Sequence, residues 1–70
     1  MAELKSEIPG RVIEVSVAEG EAVEAGQQIC LLESMKMEVP VEAPQAGTVR
    51  ELLIEEGDVL AEGQTIAILD

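Results

Sequence analysis

Residues 10–33 read GRVIEVSVAEGEAVEAGQQICLLE, and residues 47–70 repeat the pattern, shifted by 37 positions, as GTVRELLIEEGDVLAEGQTIAILD. Nine of the 24 aligned positions are identical, and all six glycines of the chain are among them. The identical pairs are Gly10/Gly47, Val12/Val49, Glu14/Glu51, Glu19/Glu56, Gly20/Gly57, Gly26/Gly63, Gln27/Gln64, Ile29/Ile66 and Leu32/Leu69. Matched glycines mark positive φ or close approach of the backbone. The two copies are therefore predicted to share one backbone.

Each copy is predicted to form a strand, a turn, a short segment, a second turn and a second strand. The predicted long strands cover residues 12–17 and 29–32 in the first copy and residues 49–54 and 66–69 in the second. They are rich in Val, Ile and Leu and are bounded by Gly, Glu, Asp and Gln, as strands usually are. A helix over Gln27 to Val39 competes, because this stretch has no glycine and places apolar residues at helical spacing. The repeat favours strands, since the counterpart from Gln64 to Asp70 has only seven residues.

Neither copy can bury both faces of its strands alone, so the two copies are expected to pack on each other. The predicted fold is all-β: a flattened barrel or sandwich of two four-stranded antiparallel sheets with an internal pseudo-twofold axis. Contiguous apolar runs suit strands that are covered on both sides. We expect one domain over residues 1–70, with a hairpin near residues 34–38 at the end remote from both termini. An exposed tip of this kind suits presentation of a functional side chain.

Composition excludes several classes of function. Fifteen acidic against four basic residues give a net charge of −11, which argues against nucleic-acid binding. There is no His, no Cys/His pairing and no metal-ligand cluster, so we expect neither catalytic residues nor a metal. The absence of Phe, Tyr and Trp does not favour a ligand pocket.

Location is predicted from what the chain lacks. The apolar runs, such as residues 29–32, are too short to span a bilayer, and residues 1–7 do not resemble a signal segment. A single cysteine, Cys30, cannot form an internal disulfide and fits a reducing compartment. We expect a monomeric cytoplasmic domain with no membrane contact. Cys30 matches Ala67 in the repeat and is predicted to be a small buried residue. Pro40 within a strand predicts an edge strand or a bulge.

The segment between the copies departs from the repeat. Ser34, Met35, Lys36 and Met37 place two of the three methionines around one of the two lysines. The other lysine, Lys5, is interpreted as a solvated charge. The methionines either fill the core or, because a tight turn exposes at least one of them, form a flexible and polarizable recognition surface.

This segment resembles a known attachment motif. Glu33-Ser34-Met35-Lys36-Met37 is similar to the biotin attachment motif, usually Ala-Met-Lys-Met. The customary flanks of that motif resemble residues 43–44, 47–49, 57–59 and 63–64. The resemblance covers essentially the whole chain and is to biotinyl domains of the biotin/lipoyl attachment family, in particular to single-domain biotin/lipoyl attachment proteins of the biotin carboxyl carrier type. Two features depart from the family: Ser34 stands where Ala is usual, and residues 17–23 carry no inserted thumb.

The resemblance implies a carrier without chemistry of its own. Lys36 is expected to receive covalent biotin through an amide, made by a biotin protein ligase from biotinyl-adenylate, with Ser34, Met35 and Met37 as recognition flanks. Biotin carboxylase and carboxyltransferase are the expected partners of the modified form. Two alternatives stay open: a lipoyl carrier domain of a 2-oxo acid dehydrogenase-type system, or an unmodified acidic docking module. Methionine on both sides of the lysine favours biotin over lipoate.

Overall fold

Eight strands and no helix make up the part of the chain that the structure, a computed structural model, describes, which is residues 2–70. Met1, the first residue of the expected domain, lies outside it. The strands are β1 (Ala2–Lys5), β2 (Gly10–Val15), β3 (Ala22–Val23), β4 (Gln28–Ser34), β5 (Met37–Glu42), β6 (Gly47–Leu52), β7 (Val59–Leu60) and β8 (Thr65–Leu69). They form two antiparallel four-stranded sheets, ordered β1-β8-β6-β3 and β5-β4-β2-β7. The predicted all-β class and two-sheet architecture are confirmed. Within residues 2–70 there is no helix with the length and apolarity needed to cross a bilayer.

The repeat is a pseudo-twofold symmetry of the structure. A shift of 37 positions carries β1 to β4 onto β5 to β8, and it converts each sheet order into the other. Backbone contacts repeat as well: Gly20 N donates to Val49 O and Gly57 N donates to Val12 O, both at 2.7 Å. The glycine pairs 20/57 and 26/63 have positive φ, whereas the pair 10/47 lies close to neighbouring backbone. The prediction of one shared backbone is confirmed.

The strand bounds differ from the predicted ones, and each long strand contains a bulge. The register shifts between Val12 and Glu14 in β2 and at the equivalent place in β6. Strand β2 begins at Gly10 and ends at Val15, two residues before the predicted end. In β4 a second bulge at Ile29 leaves Ile29 and Cys30 both buried, although strand residues normally alternate between faces. Burial of neighbouring residues along a strand thus arises from bulges as well as from a central position of the strand in the sheet.

The core is built mostly from residues that the repeat pairs. Three identical pairs are each at most 1% exposed: Val12/Val49, Ile29/Ile66 and Leu32/Leu69. Cys30 and its counterpart Ala67 are both fully buried, so the prediction of a small buried residue at position 30 is confirmed. Pro40 lies in β5, an edge strand, as predicted. Strands β4 and β5 occupy the stretch for which a helix competed, so the helix is excluded.

The symmetry gives the molecule two equivalent ends. From Gly10 the chain follows β2 away from β7 and reaches β3, which pairs beside Gly47. Gly10 and Gly47 therefore mark opposite ends of a molecule 31 Å long and 17 Å wide. Ala2 pairs with Leu69 at the Gly47 end, whereas the end of β4 reaches the Gly10 end. The hairpin between β4 and β5 lies at the end opposite to residues 2 and 70.

Candidate functional site

The hairpin that joins β4 and β5 has a two-residue turn. Ser34 and Met37 are the last pair of the ladder, and only Met35 and Lys36 lie between them. Their φ angles are 54° and 64°. Positive φ at both central residues is the mark of a type I′ turn, whose twist matches that of the flanking strands.

The local sequence does not favour this turn, so the ladder must impose it. Type I′ turns prefer Asn-Gly, and a left-handed conformation costs about 1–2 kcal/mol for other residues. Six residue pairs join β4 to β5, and they continue without a register shift from Cys30 to Ser34. This ladder fixes the turn at its base. Lys36 is therefore held at a defined place on the tip, although its four-carbon side chain is flexible.

The side chains of the tip project into solvent. Met35 is 92% exposed and Met37 is 64% exposed, so neither methionine fills the core. Ser34 is half-buried at the base of the turn, and Lys36 is exposed. In the described part of the chain Lys36 takes part in no ion pair, whereas Lys5 lies 3.8 Å from a carboxylate oxygen of Glu3. The Lys36 amine is thus unengaged.

Two further residues belong to this end of the molecule and were not singled out in the sequence. Arg11 pairs with Glu33 across β2 and β4, and on its other side it pairs with Val59 of β7. Val59 is 77% exposed. Sequence reasoning treated both as ordinary members of the repeat. The signal that it overlooked is that Arg11 and Val59 differ in chemistry from their aligned partners Thr48 and Ala22.

A groove of about 290 Å³ lies between the two edge strands β1 and β5. Leu4, Ile8, Val39 and Val41 supply its apolar lining. It is open to solvent and falls just below the usual range of about 300–1,000 Å³ for ligand pockets. The lysine tip is not part of it, so the chemistry available at the tip does not depend on an enclosed site.

The tip suits covalent attachment of a carboxylic acid. A primary amine on a flexible stem can form an amide, and at this turn no neighbouring group blocks or engages it. The residues present therefore fit a group such as biotin, which is joined to protein through its carboxyl carbon. Lys36 would hold it, with Met35 and Met37 beside the linkage.

Comparison with known proteins agrees with this geometry. A family model described as "Biotin-requiring enzyme" matches residues 2–69. The chain is 46% identical over 70 residues to the "Biotinylated protein TB7.3 homolog" of Mycobacterium leprae, covering 99% of each chain. It is 42% identical over 67 residues to the mitochondrial propionyl-CoA carboxylase alpha chain of Homo sapiens, covering 96% of this chain and 9% of that protein.

A solved structure shows the same fold. The urea carboxylase of Kluyveromyces lactis superposes with a TM-score of 0.91 at 35% identity, covering 99% of this chain and 6% of that one. This chain therefore spans less than a tenth of the two carboxylases but nearly the whole of the mycobacterial protein. The match over residues 2–69, together with the identity to these relatives, shows that the chain belongs to the biotin/lipoyl attachment family of biotin-requiring enzymes.

Proposed function

We propose that this protein is a biotin carboxyl carrier and that Lys36 is its attachment residue. The observation that carries the proposal is the position of Lys36, an unengaged amine in a two-residue turn at the end of the molecule opposite to residues 2 and 70. A biotin protein ligase attaches biotin to Lys36, and the loaded domain then moves between a biotin carboxylase and a carboxyltransferase. The domain itself performs no bond chemistry after it is modified.

Attachment needs only one nucleophile from this chain. The Lys36 Nζ forms a bond to the carboxyl carbon of biotin, AMP leaves from biotinyl-adenylate, and the amine loses a proton. No base lies in the turn, so the ligase supplies the group that accepts the proton. Ser34, Met35 and Met37 form the surface that the ligase reads around the amine.

After attachment the chain contributes reach and placement. Biotin supplies, when bound, a ureido nitrogen that accepts and gives up a carboxyl group. The β4–β5 ladder holds the turn rigidly, whereas the lysine stem adds single bonds that rotate freely. This combination lets two separate active sites be reached from one fixed point on the domain. The identity to propionyl-CoA carboxylase, and the structural likeness to urea carboxylase, support carboxylase partners.

No observation favours the two alternatives. A lipoyl carrier has the same fold, but methionine stands on both sides of Lys36, and the relatives named above are biotinylated or are carboxylases. An unmodified acidic docking module would explain the net charge of −11 but not two exposed methionines around an unengaged lysine.

The carrier role is tested by reconstitution. The protein is first loaded by a biotin protein ligase and then incubated with a separate biotin carboxylase, ATP and labelled bicarbonate. The loaded parental protein is expected to acquire label that a carboxyltransferase removes in the presence of its acceptor, and Lys36→Arg is expected to acquire none. A loaded parental protein that never accepts label would contradict the carrier role even though attachment succeeded.

A further inference from the structure

A row of exposed residues crosses the outer face of the second sheet just below the hairpin. Glu33 of β4 pairs with Glu38 of β5 on one side and with Arg11 of β2 on the other. Arg11 pairs in turn with Val59 of β7. Residues paired across antiparallel strands project from the same face, and all four are exposed. The row therefore begins beside the turn that holds Lys36 and ends at Val59.

The pseudo-twofold axis supplies an internal control for this row. At the opposite end of the molecule the equivalent residues are Asp70, Thr48 and Ala22, with the same pairing. The acidic residue is retained there, but Thr48 stands in place of Arg11 and Ala22 in place of Val59. Because the two backbones coincide, the fold itself requires neither an arginine nor a valine at these positions.

Arg11 and Val59, the two positions that differ between the ends, expose side chains that are available to contact a partner. Val59 is 77% exposed. Together with Met35 and Met37 it accounts for three of the four large exposed apolar side chains in residues 2–70, the fourth being Leu53. Within the same range Arg11 takes part in no ion pair, although a carboxylate-bearing residue lies directly across from it. Apolar surface and an unpaired cation thus coincide at the lysine end.

The length of the lysine side chain indicates which partner contacts this surface. An extended lysine places Nζ roughly 6 Å from its own Cα, so an enzyme that bonds to Nζ must approach the turn itself. Arg11 pairs with Glu33, which precedes Lys36 by three positions. Arg11 therefore lies roughly 10 Å from the turn along the strand direction. An interface of about 600 Å² per partner has a radius of roughly 14 Å, and the molecule is 17 Å wide. An enzyme that binds the turn through an interface of this size therefore also covers Arg11 and Val59.

An enzyme that acts on the far end of the attached group does not need to approach the turn closely, since its reacting atom lies well beyond Nζ. We infer that Arg11 and Val59 form a second contact for the biotin protein ligase, beside the turn and on one side of it only. The inference rests on the proposed function. The complementary ligase surface carries an acidic side chain facing Arg11 and an apolar patch facing Val59. A contact on one side fixes the direction from which the hairpin enters the ligase.

The test replaces the row with the residues that the same backbone carries at its other end. The double variant Arg11→Thr with Val59→Ala is compared with the control Lys5→Thr with Leu53→Ala, which removes one positive charge and trims one exposed aliphatic side chain outside the row. Ligation rates are measured over a range of carrier concentrations, and circular dichroism checks that each variant is folded. The double variant is expected to raise KM roughly tenfold with kcat retained, and the control is expected to match the parental protein.

The outcomes separate this inference from the proposed function. A parental KM in the double variant overturns the ligase contact while leaving attachment at Lys36 intact. Absence of transfer to the parental protein contradicts the proposed function, and the inference with it. If ligation is unchanged but the loaded double variant is carboxylated more slowly, the row serves another partner and the inference is wrong. The same conclusion follows if ligation is unchanged and sedimentation shows self-association of the parent that the double variant has lost.

Discussion

Met35 and Lys36 are adjacent residues that both adopt the left-handed conformation, with φ of 54° and 64°, and no other non-glycine residue in the described part of the chain does so. Strain of this kind persists where the surrounding structure imposes it, and it is concentrated at functional sites. Here it lies at the one turn that carries an unengaged amine. The turn is therefore interpreted as shaped for presentation of Lys36 at some cost in stability.

Relieving the strain is expected to stabilise the protein and impair its modification. Met35→Asn places at the first turn position a residue that adopts positive φ readily, and it should raise the free energy of unfolding by about 0.5–1 kcal/mol. Biotin transfer should slow, because an exposed recognition side chain is lost. Urea unfolding and ligation kinetics measure the two effects.

Met37→Asn is the matched control for this substitution. Met37 is also exposed but lies in β5, where asparagine is a poor strand former. This variant should slow transfer without gaining stability. Equal stability changes in the two variants would show that the left-handed turn is not a source of strain.

The close approach at Gly47 makes a second prediction. A Cβ built on Gly47 would lie 2.3 Å from the carbonyl oxygen of Asp70, whereas one on Gly10 would lie 3.1 Å from that of Glu33. Gly47→Ala must displace residue 70, which exchanges two backbone hydrogen bonds with Thr48. We expect a loss of about 1–2 kcal/mol for Gly47→Ala and a smaller loss for Gly10→Ala. Thermal or urea unfolding of the two variants measures the difference, and a larger loss at Gly10 would contradict the geometry.

Burial of Cys30 predicts a dependence of stability on alkaline pH. Desolvation raises the pKa of the Cys30 thiol from 9.0 to about 11. Well below pH 9 the thiol is protonated in both the folded and the unfolded chain, so it contributes no slope. Between pH 9 and 11 only the unfolded chain ionises, and stability should fall by up to about 1.4 kcal/mol per pH unit.

Cys30→Ala separates this effect from other alkaline titrations. The other copy already carries Ala67 at the equivalent buried position, so the variant should fold, with a loss of about 1 kcal/mol at neutral pH. Its stability should decline less steeply than that of the parental protein when urea midpoints are compared from pH 8 to 10.5. Parallel curves would mean that the thiol ionises alike in both states.

The fold was predictable because the same pattern of glycines and apolar residues occurs twice in the chain. Apolar residues that match across the two copies, such as Ile29 and Ile66, became the core, and the repeat correctly excluded a helix from residue 27 onward. The bulges were not predictable. An extra residue in one strand is defined by its partner strand, and the bulged positions 13 and 50 carry Ile and Arg, which share no local signal.

The candidate site was predictable only where it is local in sequence. Lys36 and its flanking methionines are contiguous, so their pattern indicated a tip before the structure was known. The left-handed turn carried no signal, since neither Met nor Lys is typical of positive φ. The contact between Arg11 and Val59 joins positions 48 residues apart through a two-residue strand. Differences between the repeats at these positions would have marked them.

The proposal that Lys36 is the attachment residue is tested most directly by intact mass and peptide mapping of the protein after coexpression with a biotin protein ligase. We predict one biotin per chain, located on Lys36, unchanged in Lys5→Arg and absent in Lys36→Arg. Modification of Lys5, or a parental protein that stays unmodified while a known biotin acceptor in the same cells is loaded, would contradict the account.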